Sequence, residues 1–202
     1  MIKIDVPYIN QSENYPTGCE SVTTVMLLHY LGYHISVDEF IQKYLVKRDF
    51  EIRDGVLYGA NPWESFAGSP YDPESMGCYA PVICRALEQI VSDKYEVVNE
   101  TGKGLDYLVE TYLKKNMPVI LWNSINLREP VIGPVWKLFD TEEDFTWISN
   151  EHCMLLVGET DESYIFNDPY ENRGVIPCPK EIILDRYEVY HRQAIGIKPK
   201  KM

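Results

Sequence analysis

From Val25 to Leu31 the chain reads VMLLHYL, apolar almost all round. A helix with no polar face has to be wrapped by protein on most sides. The stretch that introduces it, Pro16-Thr17-Gly18-Cys19-Glu20-Ser21, carries the signals of a helix start. Thr17 and Glu20 stand three apart, as in a capping box, and Gly32 sits where a C′ residue closes a helix. Cys19 is then placed in the first turn, beside backbone N–H groups that lack an intrahelical partner. Those donors and the positive end of the helix dipole favour an anion, so they are expected to draw the thiol toward thiolate. A cysteine so placed is a candidate nucleophile.

The rest of the chain divides into helices first and strands afterwards. Lys3 to Ile9 is expected as a short edge strand, broken by Pro7. Ser36 to Tyr44 reads as a capped helix, with Val37, Phe40, Ile41 and Tyr44 on one face. Tyr79 to Val91 and Gly104 to Lys115 follow as two more helices. Between them, residues 48–77 are rich in Gly, Pro, Asn and aromatics, which predicts an ordered loop. Pro118 to Trp122, His152 to Val157, Ser163 to Asn167 and Gln193 to Lys198 read as strands of an antiparallel sheet. The pattern is α+β. The connection from Asn123 to Glu151 shows no strong periodicity. Its length and its Trp136, Phe145 and Trp147 suggest a loop bordering a substrate cleft.

The 202 residues suit one well-buried domain, expected over residues 1–202. A net charge of -12 with no basic patch argues against nucleic acid and anionic membranes. No run approaches the ~18 apolar residues of a membrane span. The start, MIKIDVPYINQ, lacks a basic region followed by an apolar core, so no signal peptide is expected. As it stands the sequence predicts a cytoplasmic protein, or a secreted or cell-surface one if a leader once preceded it. Five irregularly spaced cysteines in a chain of this size predict reduced thiols. No metal and no cofactor is expected: there is no C-x-x-C or H-x-x-x-H pair, and Cys153 should point away from His152.

A nucleophilic cysteine needs a base, and there are four histidines. His29 lies ten residues down the same helix, about 15 Å away at 1.5 Å per residue, and His34 lies beyond it. His152 and His191 remain. The strands flanking Gly158–Glu162 form a natural hairpin, and pivoting it about Thr160 sets Asp168 opposite His152 on one face. A one-residue slip would spoil that pairing. His191 has no comparable acid across a hairpin.

Several segments, in this order, carry a resemblance: VPYINQ with Gln11, TGCESVTTVMLLHYLG with Cys19, NPWESFAGSPYD with GCYAP, PVILW, and EHCMLLVGETDESYIFNDP with His152 and Asp168. The chain resembles the papain-like cysteine peptidases of the C39-like group, bacterial relatives of the leader-cleaving domain of bacteriocin exporters. Glu20 departs from the pattern, since relatives commonly carry Gly there. The resemblance implies a papain-like fold, with the Cys19 helix packed on a C-terminal antiparallel sheet bearing His152 and Asp168. It implies a thiol hydrolase acting on a peptide bond through Cys19, His152 and Asp168. It also implies that Gln11 is the oxyanion-hole side chain. A papain-like amidase or acyltransferase on a small amide, or a non-catalytic binding module, would use the same fold.

Overall fold

The computed structural model describes residues 1–200. In chain order the elements are β1 (Ile2–Lys3), α1 (Cys19–Tyr30), α2 (Val37–Lys43), β2 (Lys47–Arg48), β3 (Glu51–Arg53), β4 (Val56–Gly59) and β5 (Phe66–Ala67). Then come α3 (Ala80–Val91), β6 (Tyr95–Asn99), α4 (Leu105–Thr111), β7 (Val119–Ser124), β8 (Val131–Leu138) and β9 (Asp144–Ser149). The chain closes with β10 (Glu151–Glu159), β11 (Ser163–Asp168), β12 (Gly174–Pro179), α5 (Lys180–Val189) and β13 (Ala194–Pro199). The principal sheet is antiparallel, in the order β12-β11-β10-β7-β13-β6, with β1 added to β10. No helix among the described residues is long and apolar enough to cross a membrane.

α1 is the buried element that its composition demands. Every residue from Cys19 to Leu28 is buried, and the helix packs against β10, β7, α2 and α3. Its threonines are hydrogen-bonded: Thr24 Oγ1 donates to the Glu20 carbonyl at 2.6 Å, and Thr23 Oγ1 to the Cys153 carbonyl of β10 at 3.0 Å, while the buried Ser21 hydroxyl has no partner. Gly32, at φ +86°, ends the helix. The Gly32 N–H bonds the His29 carbonyl and the Tyr33 N–H reaches back to Leu28, the paired bonds of a Schellman motif. The start differs from the capping-box expectation. Gly18 is the N-cap and makes no side-chain bond, while Thr17 Oγ1 donates to the Ser69 and Asp72 carbonyls.

The other expected helices form, α2 with Ser36 capping the Glu39 N–H at 3.0 Å. The N-terminal strand is cut to Ile2–Lys3, after which the chain crosses to the site as an irregular segment. Two further departures come from one missed layer. The 48–77 segment and the long 123–151 connection are not loops throughout. They supply β3, β4, β8 and β9, a second sheet in that order. Beneath it Trp136 and Trp147 are 2 % and 4 % exposed, and Trp147 stacks on Tyr79 at 5.3 Å. These two indoles hold the small sheet to the body; Trp136 also lines a separate pocket with Phe50 and Met76. It is the ends of the 123–151 connection, at Ile125, Arg128 and Asn150, that border the pocket holding Cys19.

Candidate active site

Four elements converge on a pocket of about 280 Å³ whose walls include Gln11, Cys19, Arg128, Asn150, Glu151 and His152. Cys19 is the first residue of α1, and its N–H lacks a helical carbonyl, as expected. His152 stands in β10, paired across the ladder with Asn123 of β7. The bond from Thr23, one turn along α1, to Cys153, next to His152, fixes helix and strand against each other. Gln11 enters by a loop whose backbone N–H bonds the Pro169 carbonyl at 2.9 Å, just past Asp168. Asn167 ties the same N-terminal segment down through the Val6 carbonyl.

His152 and Asp168 are joined, Nε2 to Oδ1, at 2.7 Å, and each is about 1 % exposed or less. The register that achieves this is not the expected one. Leu155 pairs with Asn167 and Leu156 with Phe166, and a bulge at Val157 shifts the rest. One step along that ladder Asp168 faces Met154, and His152 is its diagonal neighbour. The ladder has slid by two residues, which preserves the face, and the diagonal distance of roughly 7–8 Å is spanned by the long imidazole.

Asp168 also accepts the Tyr170 N–H at 3.0 Å and Arg173 Nη1 at 3.0 Å. Burial alone would raise its pKa. The bond and charge of His152, the Tyr170 N–H and Arg173 outweigh it and leave Asp168 below the ordinary carboxylate value. An ionised Asp168 takes its proton bond from Nε2–H, so Nδ1 of the neutral ring is left as an acceptor. Arg173 had no signal in the sequence beyond lying in the turn after Asn167-Asp168-Pro169.

The thiol itself departs from expectation. Cys19 Sγ donates to Glu20 Oε2 at 3.3 Å. Burial, then the carboxyls of Glu20 and Glu151, pushes the Cys19 pKa well above its ordinary value. The helix terminus does not dominate at rest. Glu20 does not turn back to cap α1: it points inward, and its Oε1 accepts the Cys78 N–H at 2.6 Å. Sulfur and carboxylate oxygens of Cys19, Glu20 and Glu151 lie within 4.8 Å of one another, a cluster that a cation could share. A charged residue opening an otherwise apolar strand, EHCMLLV, was the available sign of Glu151.

Gln11 is 2 % exposed; its Nε2 donates weakly to the Pro16 carbonyl at 3.4 Å, and its Oε1 is buried without a partner. His191 lies apart, against Trp63 and Tyr79. The other four cysteines are buried and free, Cys178 within β12 and Cys78 in the segment before α3.

A buried cysteine at a helix start, sharing a pocket with a histidine–aspartate strand pair, belongs to the papain-like class of fold. Residues 3–195 match the Peptidase C39 like family, and the chain belongs to that family. It is a cysteine peptidase. A Bacillus anthracis protein described as C39-like has a crystal structure similar to this one, with a TM-score of 0.85 at 25 % identity over 100 % of both chains. A double glycine motif protease from an AMS/PCAT transporter, solved with its leader peptide, gives 0.54 at 15 % identity, covering 98 % of this chain and 94 % of that one. The peptidase domain of Streptococcus ComA, a bifunctional ABC transporter, gives 0.50 at 13 %, over 100 % of both. The last two share the fold. No curated protein matches the chain.

Proposed function

We propose that Cys19, His152, Asp168 and Gln11 form the catalytic set of one domain that hydrolyses a peptide bond. The observation that carries this reading is the buried His152–Asp168 bond at 2.7 Å, on the wall of the pocket that also holds Cys19. The thiol turns from Glu20 to Nδ1 of His152, which takes its proton as sulfur attacks the carbonyl carbon. Asp168 keeps the ring in the tautomer this requires and stabilises the imidazolium. The tetrahedral oxyanion meets the Cys19 backbone N–H, and the Gln11 amide turns an N–H toward it from its loose contact with Pro16. The imidazolium then protonates the leaving amine, and water, activated by the same ring, releases the acyl group.

The substrate is a peptide, and an extended one suits an open pocket of this size. The transporter protease bound to its leader peptide is a precedent in a chain of the same fold. The test is cleavage of a peptide library by purified protein. Wild type should cleave, and Cys19→Ala and His152→Ala should not, while His191→Ala should. Cleavage by Cys19→Ala would dispose of the mechanism.

A further inference from the structure

The proposed chemistry leaves two acids beside the thiol without a task. Glu20 follows the nucleophile and is fully buried; Glu151 precedes the base, is half-buried and lines the pocket. Glu20 holds the thiol with one oxygen and the Cys78 N–H with the other. Glu151 Oε1 is enclosed and has no hydrogen-bond partner. The wall over both acids is bare because residue 77 is glycine: a Cβ there would fall 2.6 Å from Glu20 Oε1 and 3.3 Å from Glu151 Oε2.

Two carboxylates this close, one of them fully buried, cannot both be ionised without a cation between them. Apart from the base His152 itself, the groups around them supply none. α1 brings Cys19, the loop before α3 brings Cys78 and Tyr79, β10 brings His152 and Cys153, and the end of α5 brings Tyr190. Arg186 is engaged by Glu129 and Asp185, and Arg85 by the Glu64 carbonyl. Arg128 lines the pocket, yet among the described residues no ion pair reaches Glu20 or Glu151. The pair therefore keeps one proton and one negative charge next to the sulfur. Burial accordingly lifts Glu20 to about 7 and Glu151 well above the ordinary carboxylate value.

We propose that Glu20 and Glu151 are a positioning pair that parks Cys19 as a neutral thiol, bonded to Glu20 and turned from His152, until substrate enters. The parked state protects the enzyme between turnovers, because the thiolate is the form that oxidants and alkylating agents attack. Glu20 supplies the acceptor and the charge. Glu151 supplies the proton that lets a second carboxyl exist beside it.

The proposal rests on Cys19 being the nucleophile, but thiol reactivity is read without turnover, so the two can fail separately. The rate of Cys19 alkylation by iodoacetamide is followed against pH, with peptide mapping to assign the site and circular dichroism to verify folding. Glu20→Gln removes the charge and turns a donor toward sulfur. It should speed labelling at pH 7 by about tenfold or more, shifting the midpoint down by about one unit or more. Glu151→Gln leaves the Glu20 anion in place, so labelling should stay as slow as in wild type. Infrared difference spectra of wild type should show a protonated carboxyl at pH 7 that disappears in Glu151→Gln. A folded Glu20→Gln protein that labels no faster than wild type overturns the proposal. So does a Glu151→Gln protein that labels fast. If Glu20→Gln does not fold, a wild-type protein with no carboxyl losing its proton between about pH 5 and 9 refutes it alone. Faster labelling of Glu20→Gln in a protein that cleaves no peptide would keep the parked thiol and sink the peptidase mechanism.

Discussion

Replacing Asp168 by asparagine and by leucine separates orientation from charge. Asp168 accepts three bonds: His152 Nε2 and the Tyr170 N–H at Oδ1, and Arg173 at Oδ2. Asparagine can keep the first two through its carbonyl oxygen, but it confronts Arg173 with a second donor. The Arg173 side chain is 32 % exposed and can swing into solvent, so the fold should tolerate the change. What is lost is the negative charge beside the imidazolium. A hydrogen bond to a charged group is worth about 1.5–3 kcal/mol, which translates to a fall in kcat/KM of roughly ten- to hundredfold. Leucine removes every acceptor and leaves the buried His152 and Tyr170 N–H groups unpaired, at about 1–3 kcal/mol each. Stability should drop, and kcat/KM should fall well below that of Asp168→Asn. A quenched fluorogenic peptide gives the rates, and thermal melts followed by circular dichroism give the stabilities. A folded Asp168→Leu protein with wild-type kcat/KM would show that Asp168 orients nothing.

Gln11→Ala should lower kcat by about 10²–10³ with little change in melting temperature, since its amide makes only one long bond at rest; wild-type kcat would exclude Gln11 from the oxyanion hole. Trp147→Ala should cost about 3–5 kcal/mol of stability while the folded protein keeps its substrate preference, because the ring is core; altered preference at unchanged stability would restore it to the cleft. Stability should peak at mildly acidic pH. The depressed pKa of Asp168 contributes stability present above an unfolded value of about 3.9 and lost as pH falls through the folded one. Glu151, whose pKa burial and the charge of Glu20 raise well above the ordinary carboxylate value, keeps its proton in the native state and ionises in the unfolded chain from about pH 4.3 upward. Over that interval stability should fall by up to about 1.4 kcal/mol per pH unit, or roughly 3–5 °C in melting temperature. A flat melting profile between pH 5 and 7, or one unchanged in Glu151→Gln, would contradict this.

What the sequence revealed follows the reach of each signal. α1 was legible because an all-apolar run followed by glycine has few alternatives. The strand expected over Pro118 to Trp122, found as Val119–Ser124, was legible because PVILW is a continuous apolar run. The second sheet was not. Its β3 and β4 are three and four residues long, and Ile52 and Ile132 are 77 % and 85 % exposed. Gly133 and Pro134 sit at the break between Ile132 and Val135, which erases the alternation that would have marked β8. α5 went unread because its sequence KEIILDRYEV carries charges at nearly every turn.

The site shows how a local argument can succeed or fail for definable reasons. The His152–Asp168 pairing survived a wrong register because sheet faces repeat every two residues, and the error was two. Nothing of the kind protects the expected thiolate, for which the helix terminus is a local effect. Burial comes first, then Glu20, turned inward by the Cys78 N–H instead of back toward the helix cap, then Glu151 from 132 positions away. A capping-box pattern states only that a glutamate stands near a helix start. Whether it faces solvent or core is set by what packs over that turn, here Gly77, whose missing side chain leaves room for both acids. Glu20, which the resemblance marks as a departure, is thus the residue on which the proposed parked thiol depends.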